Sequence, residues 1–181
     1  MIPLRDNIPT RQLPVMTWCL IGINLFVFVK GFLLEPSAGE QIIQYYGLIP
    51  CGLTGNCRIV GRAFSNEVTL LTSMFVHAGF FHFAGNMLYL WIFGNNVEDS
   101  MGKGRCAAFY LLSGLAAALA QTVTNPASQI PMVGASGAVS GVLGAYVLLF
   151  PHARVLTLIP LGLFTQLAEV PALIVLGFWI L

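Results

Sequence analysis

Charge is what this chain has least of. Only 8% of its 181 residues are charged and 57% are hydrophobic, with a mean hydropathy of +0.82. A soluble domain carries about 25% charged residues, so the composition argues for a polytopic membrane protein. The net charge is +1 and no basic run occurs anywhere, which removes nucleic acid as a partner. No Cys, His and acidic residues stand together at ligand spacing, so neither a metal nor a cofactor is expected. No acidic residue sits at the middle of an apolar segment and no repeat is visible, which argues against a transporter or channel. Histidine is scarce too. After Ser136 the sequence holds only His152.

The first fourteen residues, with Arg5, Asp6 and Arg11, end at Pro14. The apolar stretch that follows is too long for a signal h-region and lacks a small-residue cleavage site, so residues 1–14 read as a cytoplasmic lead-in. Five apolar segments come next: Val15–Leu34, Phe80–Val97, Cys106–Val123, Ser136–Phe150 and Leu161–Leu181. The expected fold is an all-α, polytopic membrane helix bundle. A spanning helix needs roughly 20 residues. The fourth segment reaches only about 22 Å at 1.5 Å per residue, so it crosses only if Ser136 starts below the surface. Residues 35–79 form a long outer loop. Its part from Val68 to Phe81 is apolar enough to enter the membrane without spanning it.

With the N-terminus inside, Arg5, Arg11, Lys103, Arg105 and Arg154 fall on the inner side, and Arg58 and Arg62 on the outer. That asymmetry puts the N-terminus in the cytoplasm. Lys30, near the outer end of the first segment, snorkels. Cys19 and Cys106 read as inert packing residues. Cys51 and Cys57 share the outer loop and form a disulfide if that compartment oxidises. Zinc is disfavoured there, since no further Cys or His lies nearby in sequence.

Polar groups at bilayer depth are costly and mark function by default. Ser136, in Gly134-Ala135-Ser136-Gly137, begins an apolar segment where free N–H groups and the positive dipole end would stabilise an oxyanion. Serine is also a common N-cap, and the glycines at 137, 141 and 144 suit tight helix packing, so a purely structural role stays open. His82 and Asn86 share a helix face at i, i+4 spacing. Both donate hydrogen bonds, which fits oxyanion stabilisation, although an interhelical clamp explains them equally well. His77 reads as a structural hydrogen-bonding residue. His152 reads as interfacial, beside Arg154. Glu98 would oppose its own helix dipole, so it is expected to be architectural, taking a backbone N–H of the following loop. Glu169 is either interfacial or paired.

Taken together these stretches resemble the rhomboid family of intramembrane serine proteases. The resemblance runs from Ile2 to Leu181. It is carried by Thr72-Ser-Met-Phe-Val-His77, His82-Phe-Ala-Gly-Asn86-Met-Leu-Tyr-Leu-Trp91, Gly94-Asn-Asn-Val-Glu98-Asp-Ser-Met-Gly102 and Gly134-Ala-Ser136-Gly137-Ala-Val-Ser140-Gly141-Val-Leu-Gly144. It implies one six-helix domain, of which five helices are present here. It implies Ser136 as nucleophile, His82, Asn86 and the serine N–H at the oxyanion, and Ser140 and Gly144 at substrate-pocket positions. The base of its Ser–His dyad is a histidine on the sixth helix, expected beyond Leu181. The family's frequent Trp-Arg pair before Thr72 is replaced here by Val68-Thr69.

The expected function is hydrolysis of transmembrane protein substrates in a bilayer, in a prokaryotic inner or plasma membrane. A catalytically inactive relative that binds membrane proteins is the alternative. The sequence carries no sign of oligomeric state.

Overall fold

The apolar segments become helices that end where glycine, proline or polar residues intervene. A computed structural model describes residues 1–34, 39–61, 64–161 and 164–180; Arg62 lies outside the described residues. Helix α1 (Val15–Phe28) starts after Pro14 and widens into a π-helical turn over Val29–Leu34. The long loop folds into α2 (Gly39–Tyr46), α3 (Pro50–Leu53) and α4 (Asn66–Thr72), which tightens into a 3₁₀ turn over Ser73–Phe75. Helices α5 (Phe80–Met101) and α6 (Lys103–Thr124) meet at Gly102. Its φ of +82° is a left-handed conformation that suits glycine at a helix end. Helix α7 (Ser136–Leu149) carries the glycine motif.

Among the described residues, α6 is by itself long and apolar enough to cross a bilayer, with a mean hydropathy of 1.6. Residues Asn66–Phe75 and α5 qualify only as a pair bent by 77°. Val15–Gly31 and Ser136–Leu149 are shorter apolar helices.

The all-α expectation needs correction. Strand β1 (Ile2–Asp6), formed by the lead-in, pairs antiparallel with β2 (Arg154–Leu161), and β2 pairs with β3 (Phe164–Pro171). The fifth apolar segment is therefore not one helix over Leu161–Leu181. Only α8 (Ala172–Ile180) is helical there. Pro171 gives the reason. A proline inside a helix removes a hydrogen bond and clashes with the preceding turn, but one just before a helix costs nothing. Ahead of it the β-branched Val155 and Thr157 alternate into the core as a strand requires, each 0% exposed.

Helices α6 and α7 approach closely because glycine faces glycine-sized gaps. A Cβ on Gly141 would lie 2.3 Å from Ser113 Oγ, and one on Gly137 would lie 2.5 Å from Ala117 Cβ. Around this contact Tyr110, Val139, Val142, Phe93 and Tyr146 are buried. The rings of Phe93 and Tyr146 meet edge to face at 4.8 Å.

Two carboxylates organise the end of the bundle away from Ser136. Glu98, 3% exposed, accepts the backbone N–H of Met16 at 2.9 Å, that of Thr17 at 2.7 Å, and the Thr17 hydroxyl at 2.8 Å. Its expected partner was the loop that follows it; the real partner is the open N-terminus of α1. A carboxylate that opposes the dipole of its own helix thus complements that of its neighbour. Asp6 accepts Tyr146 Oη–H at 2.6 Å and Asn96 Nδ2–H at 2.5 Å, tying β1 to α7 and α5. Burial raises the Asp6 pKa above the ordinary carboxylate value, against the lowering effect of the Tyr146 hydrogen bond. Cys106 is buried, as a packing residue should be, but Cys19 is exposed on the bundle surface, contrary to the packing role expected of it.

Removing the Glu98 carboxylate leaves the α1 donors buried without an acceptor. Glu98→Ala is expected to lower stability by about 2–3 kcal/mol, with Glu98→Gln losing less. Thermal unfolding of the purified protein in detergent measures this, and unchanged unfolding in both variants would remove the capping role.

Candidate active site

Ser136 occupies the first position of α7, and Ala135 stands at the cap position before it. A capping serine must precede the first helical residue so that its oxygen reaches the N–H groups ahead. Ser136 comes one place too late, and no side-chain cap bond is made. That removes the capping explanation. The residue is exposed, and among the described residues no hydrogen bond engages its hydroxyl.

The loop leading to Ser136 is held at two backbone points. Gly134 N–H donates to the Ser73 carbonyl at 2.9 Å. Ala135 N–H donates to His77 Nε2 at 3.4 Å. His77 is 1% exposed, and the nitrogen that accepts this bond carries no proton. It stands as a support for the serine loop. Ser73 lies within the Thr72–His77 stretch, yet only the fold gives it a role, because that role is played by its carbonyl and not by its side chain.

His82 opens α5 and is half-buried beside the same loop. Its ring lies 5.2 Å from that of His77, edge to face. A Cβ on Gly134 would fall 2.5 Å from His82 Cε1 and 2.7 Å from Nε2, and Gly134 has φ +120°. Glycine is therefore needed here twice, for its backbone angle and for the approach of the imidazole.

Asn86, 1% exposed, sits one turn along α5 and donates its Nδ2–H to the His82 carbonyl at 2.8 Å. One of its two amide hydrogens is thus engaged inside α5.

Ser136 lies between two cavities. One of about 500 Å³ is lined by Ser73, His82, Gln121, Gly134 and Gly137 among others. The second, about 440 Å³, lies between α5, α7 and α8 and is lined by Phe81, His82, Gly85, Asn86, Ser140 and Trp179. Ser136 and His82 border both. Ser140 accepts Trp179 Nε1–H at 2.9 Å, and Trp179 packs on Tyr89 at 4.5 Å. Trp179 was not singled out from sequence. It lies 43 positions after Ser136, and nothing in its apolar surroundings signals the return of α8 to the serine helix.

Not every singled-out residue joins the site. Gly144 is exposed, borders neither cavity, and a Cβ there meets nothing within 4 Å. The packing expected of it is therefore not made. Gly137 borders the first cavity and also packs on α6. His152 is exposed just beyond the opposite end of α7.

At the serine end the long loop is bolted to the loop before Ser136. Leu48 and Met132 exchange backbone bonds of 3.0 and 2.7 Å, and Cys51 N–H donates to the Ser128 carbonyl at 3.0 Å. Thr54 and Asn56 side chains both donate to the Pro126 carbonyl. Cys51 and Cys57 are joined as a disulfide, with Cα atoms 5.2 Å apart.

A hydroxyl without a partner at a helix N-terminus, an imidazole against its loop and two bordering cavities thus come together at one end of an apolar bundle. Residues 65–181 match the Rhomboid domain. The chain belongs to the rhomboid family. Over 145 residues, 78% of this chain, it is 32% identical to "Rhomboid protein 1, mitochondrial" of Saccharomyces cerevisiae, covering 38% of that protein. It is 36% identical over 132 residues, 73% of this chain, to "Rhomboid protease GluP" of Bacillus subtilis, covering 24% of it. Over 148 residues, 81% of this chain, it is 32% identical to the human "Presenilin-associated rhomboid-like protein, mitochondrial", covering 35% of that protein. The chain thus spans well under half the length of these relatives. Rhomboids are integral membrane proteins.

In this rhomboid Gly134→Ala should push the His82 ring from the serine loop and strain the backbone. A stability loss of about 1–3 kcal/mol is expected from the forced conformation. Unfolding midpoints read it out. A variant as stable as wild type would show that the loop adapts and that His82 is not fixed by it.

Proposed function

We propose that this rhomboid is the nucleophile-bearing part of an intramembrane serine endopeptidase acting on transmembrane protein substrates. The observation that carries this is the unengaged, exposed Ser136 hydroxyl at the first position of α7, with His82 beside its loop. Ser136 Oγ bonds to the substrate carbonyl carbon as its proton passes to a base. The carbonyl oxygen becomes an oxyanion, stabilised by the N-terminal end of α7 together with donors from His82 and Asn86. The peptide C–N bond then breaks, the amine takes the proton, and water hydrolyses the acyl-serine.

None of the three histidines serves as that base here. His77 Nε2 accepts from Ala135, His82 rests on Gly134, and His152 lies at the opposite end. The base is assigned to the histidine that the family resemblance places on a sixth helix.

In this reading α1, α5, α6 and α7 lie in the bilayer, and α8 enters it over Ala172–Ile180. The N-terminus lies in the cytoplasm of a prokaryotic cell. Arg5, Arg11, Lys103, Arg105 and Arg154 at the end opposite Ser136 support that orientation, and so does a disulfide at the serine end, which suits an oxidising outer compartment.

A fluorophosphonate probe is expected to label Ser136 in a chain extended through a sixth helix and not in the 181-residue chain, because a serine hydroxyl without a base is a weak nucleophile. Labelling followed by mass spectrometry decides it. Strong labelling of the 181-residue chain would move the base to His77 or His82. Proteolysis that survives Ser136→Ala would end the serine-protease reading.

In the extended chain Asn86→Ala should lower turnover by on the order of 10²-fold, the low end for an oxyanion donor. Its unfolding should shift by about 1 kcal/mol or less, the scale of an interhelical polar contact. Combined with His82→Ala, the losses should be less than additive if both donors serve one oxyanion. A variant that unfolds without any specific loss of turnover makes Asn86 a packing residue.

A further inference from the structure

At the end of the bundle away from Ser136 lies an aromatic and basic surface that hydrolysis does not use. Trp18 on α1 and Trp91 on α5 stand side by side, with ring centroids 6.4 Å apart and planes 17° from parallel. They are 44% and 55% exposed. Beside them is a cavity of about 400 Å³, whose polar lining includes Arg11, Gln12 and Asn95. Asp99 holds the Arg11 backbone N–H at 3.0 Å, which fixes where the side chain starts. Among the described residues the Arg11 guanidinium enters no ion pair.

We propose that this groove binds one anionic phospholipid of the leaflet at that end, with its phosphate on Arg11 and the start of its acyl chains on the Trp18–Trp91 pair. Three features select a lipid. The groove flanks the first turn of α1, the level at which a helix enters the headgroup region, and indoles with an apolar body and one polar edge favour that level. A guanidinium offers forked donors that match phosphate oxygens, and the amides of Gln12 and Asn95 add donors for the ester and glycerol oxygens. Lys103 and Arg105, which open α6 at the same end, draw anionic lipid toward it. The neighbouring carboxylates keep their charge and Asp99 Oδ1 has no partner among the described residues, so they offset part of the attraction that Arg11, Lys103 and Arg105 supply. Glu98 is engaged by α1 and Asp99 by Arg11 N–H. A small soluble anion would use the arginine but leave the paired indoles without a purpose. The proposal requires a bilayer and is independent of the chemistry at Ser136.

The test is tryptophan quenching in the full chain, reconstituted into phosphatidylcholine vesicles that contain either dibrominated phosphatidylglycerol or dibrominated phosphatidylcholine. Bromine on the acyl chain quenches an indole on contact. The difference between wild type and a Trp18→Phe/Trp91→Phe variant isolates the groove. Half-maximal quenching by the brominated phosphatidylglycerol is expected at a mole fraction about fivefold lower than for the phosphatidylcholine, the ratio that one basic contact supplies. Arg11→Gln should remove that preference and leave quenching itself intact, while Arg11→Lys keeps most of it. Equal quenching by the two lipids, or a preference that survives Arg11→Gln, overturns the proposal. So does loss of the preference on adding inorganic phosphate, which would mark a free-anion site. Emission that ignores both lipids but changes on protein dilution would assign the groove to a second copy instead.

Discussion

Helix α7 holds Ser136 in place because it is pressed against α6 with no room for side chains at the contact. Gly137 and Gly141 meet Ala117 and Ser113, and Gly114 meets Met74, so that a Cβ at any of the three would fall within about 2.1–2.5 Å of a neighbouring atom. Lipid tails are as apolar as leucine and give helices no hydrophobic reason to associate. Close contact supplies van der Waals attraction in its place, and glycine is what permits the contact. Met74, which belongs to the turn after α4, reaches into the same seam from the loop side. The packing that fixes α7 therefore also positions Ser73 and His77, which hold the loop before Ser136.

Apolar surroundings penalise an unpaired polar group, so the pattern of engagement is informative. Glu98 is engaged by α1, Asp6 by Tyr146 and Asn96, His77 by Ala135, and Asn86 by the His82 carbonyl. Ser140 takes the Trp179 indole. Among the described residues buried atoms are also left without a partner, His77 Nδ1 and Asn86 Oδ1 among them, while the unengaged hydroxyl of Ser136 differs in being exposed and bordered by two cavities. Thr122, buried on α6, shows the ordinary solution, its hydroxyl donating to the Ala118 carbonyl four residues back.

The candidate site was legible in the sequence to the extent that it depends on residue type and short spacing. The His82–Asn86 pair follows from helical periodicity, and Ser136 follows from its glycine setting at the head of an apolar run. Three features were not legible, for distinct reasons. The sheet was missed because Phe164–Pro171 runs without a break into the apolar Ala172–Ile180, so that Gln166, Glu169 and Pro171 were taken as interruptions of one apolar segment. No strand was expected in the lead-in because β1 gains its partners from residues some 150 positions away. Glu98 was assigned a local partner because its real one, the α1 N-terminus, is 81 and 82 positions earlier in the chain. Gly144 failed in the opposite direction. Its place in a small-residue series suggested packing, and seven residues put it on nearly the same face as Gly137, but among the described residues no neighbouring atom lies within 4 Å of a Cβ there.

The two ends of the molecule are secured by different chemistry, and the difference suits what each must do. Away from Ser136 the ties are carboxylates that accept hydrogen bonds from α1, Tyr146 and Asn96, with β1 laid across β2. These bonds knit α1, α5, α7 and the sheet into one unit. At the serine end the ties run between loops, through the Leu48–Met132 bridge, the Ser128 and Pro126 carbonyls and a disulfide that closes only residues 51–57. Loop ties of that kind limit how far the segment before Ser136 can move without filling the space around it. The cavities remain, and the donors at the head of α7 keep their direction. The proposed hydrolysis of a peptide inside a membrane needs both properties, and a fully packed helix end would provide only the second.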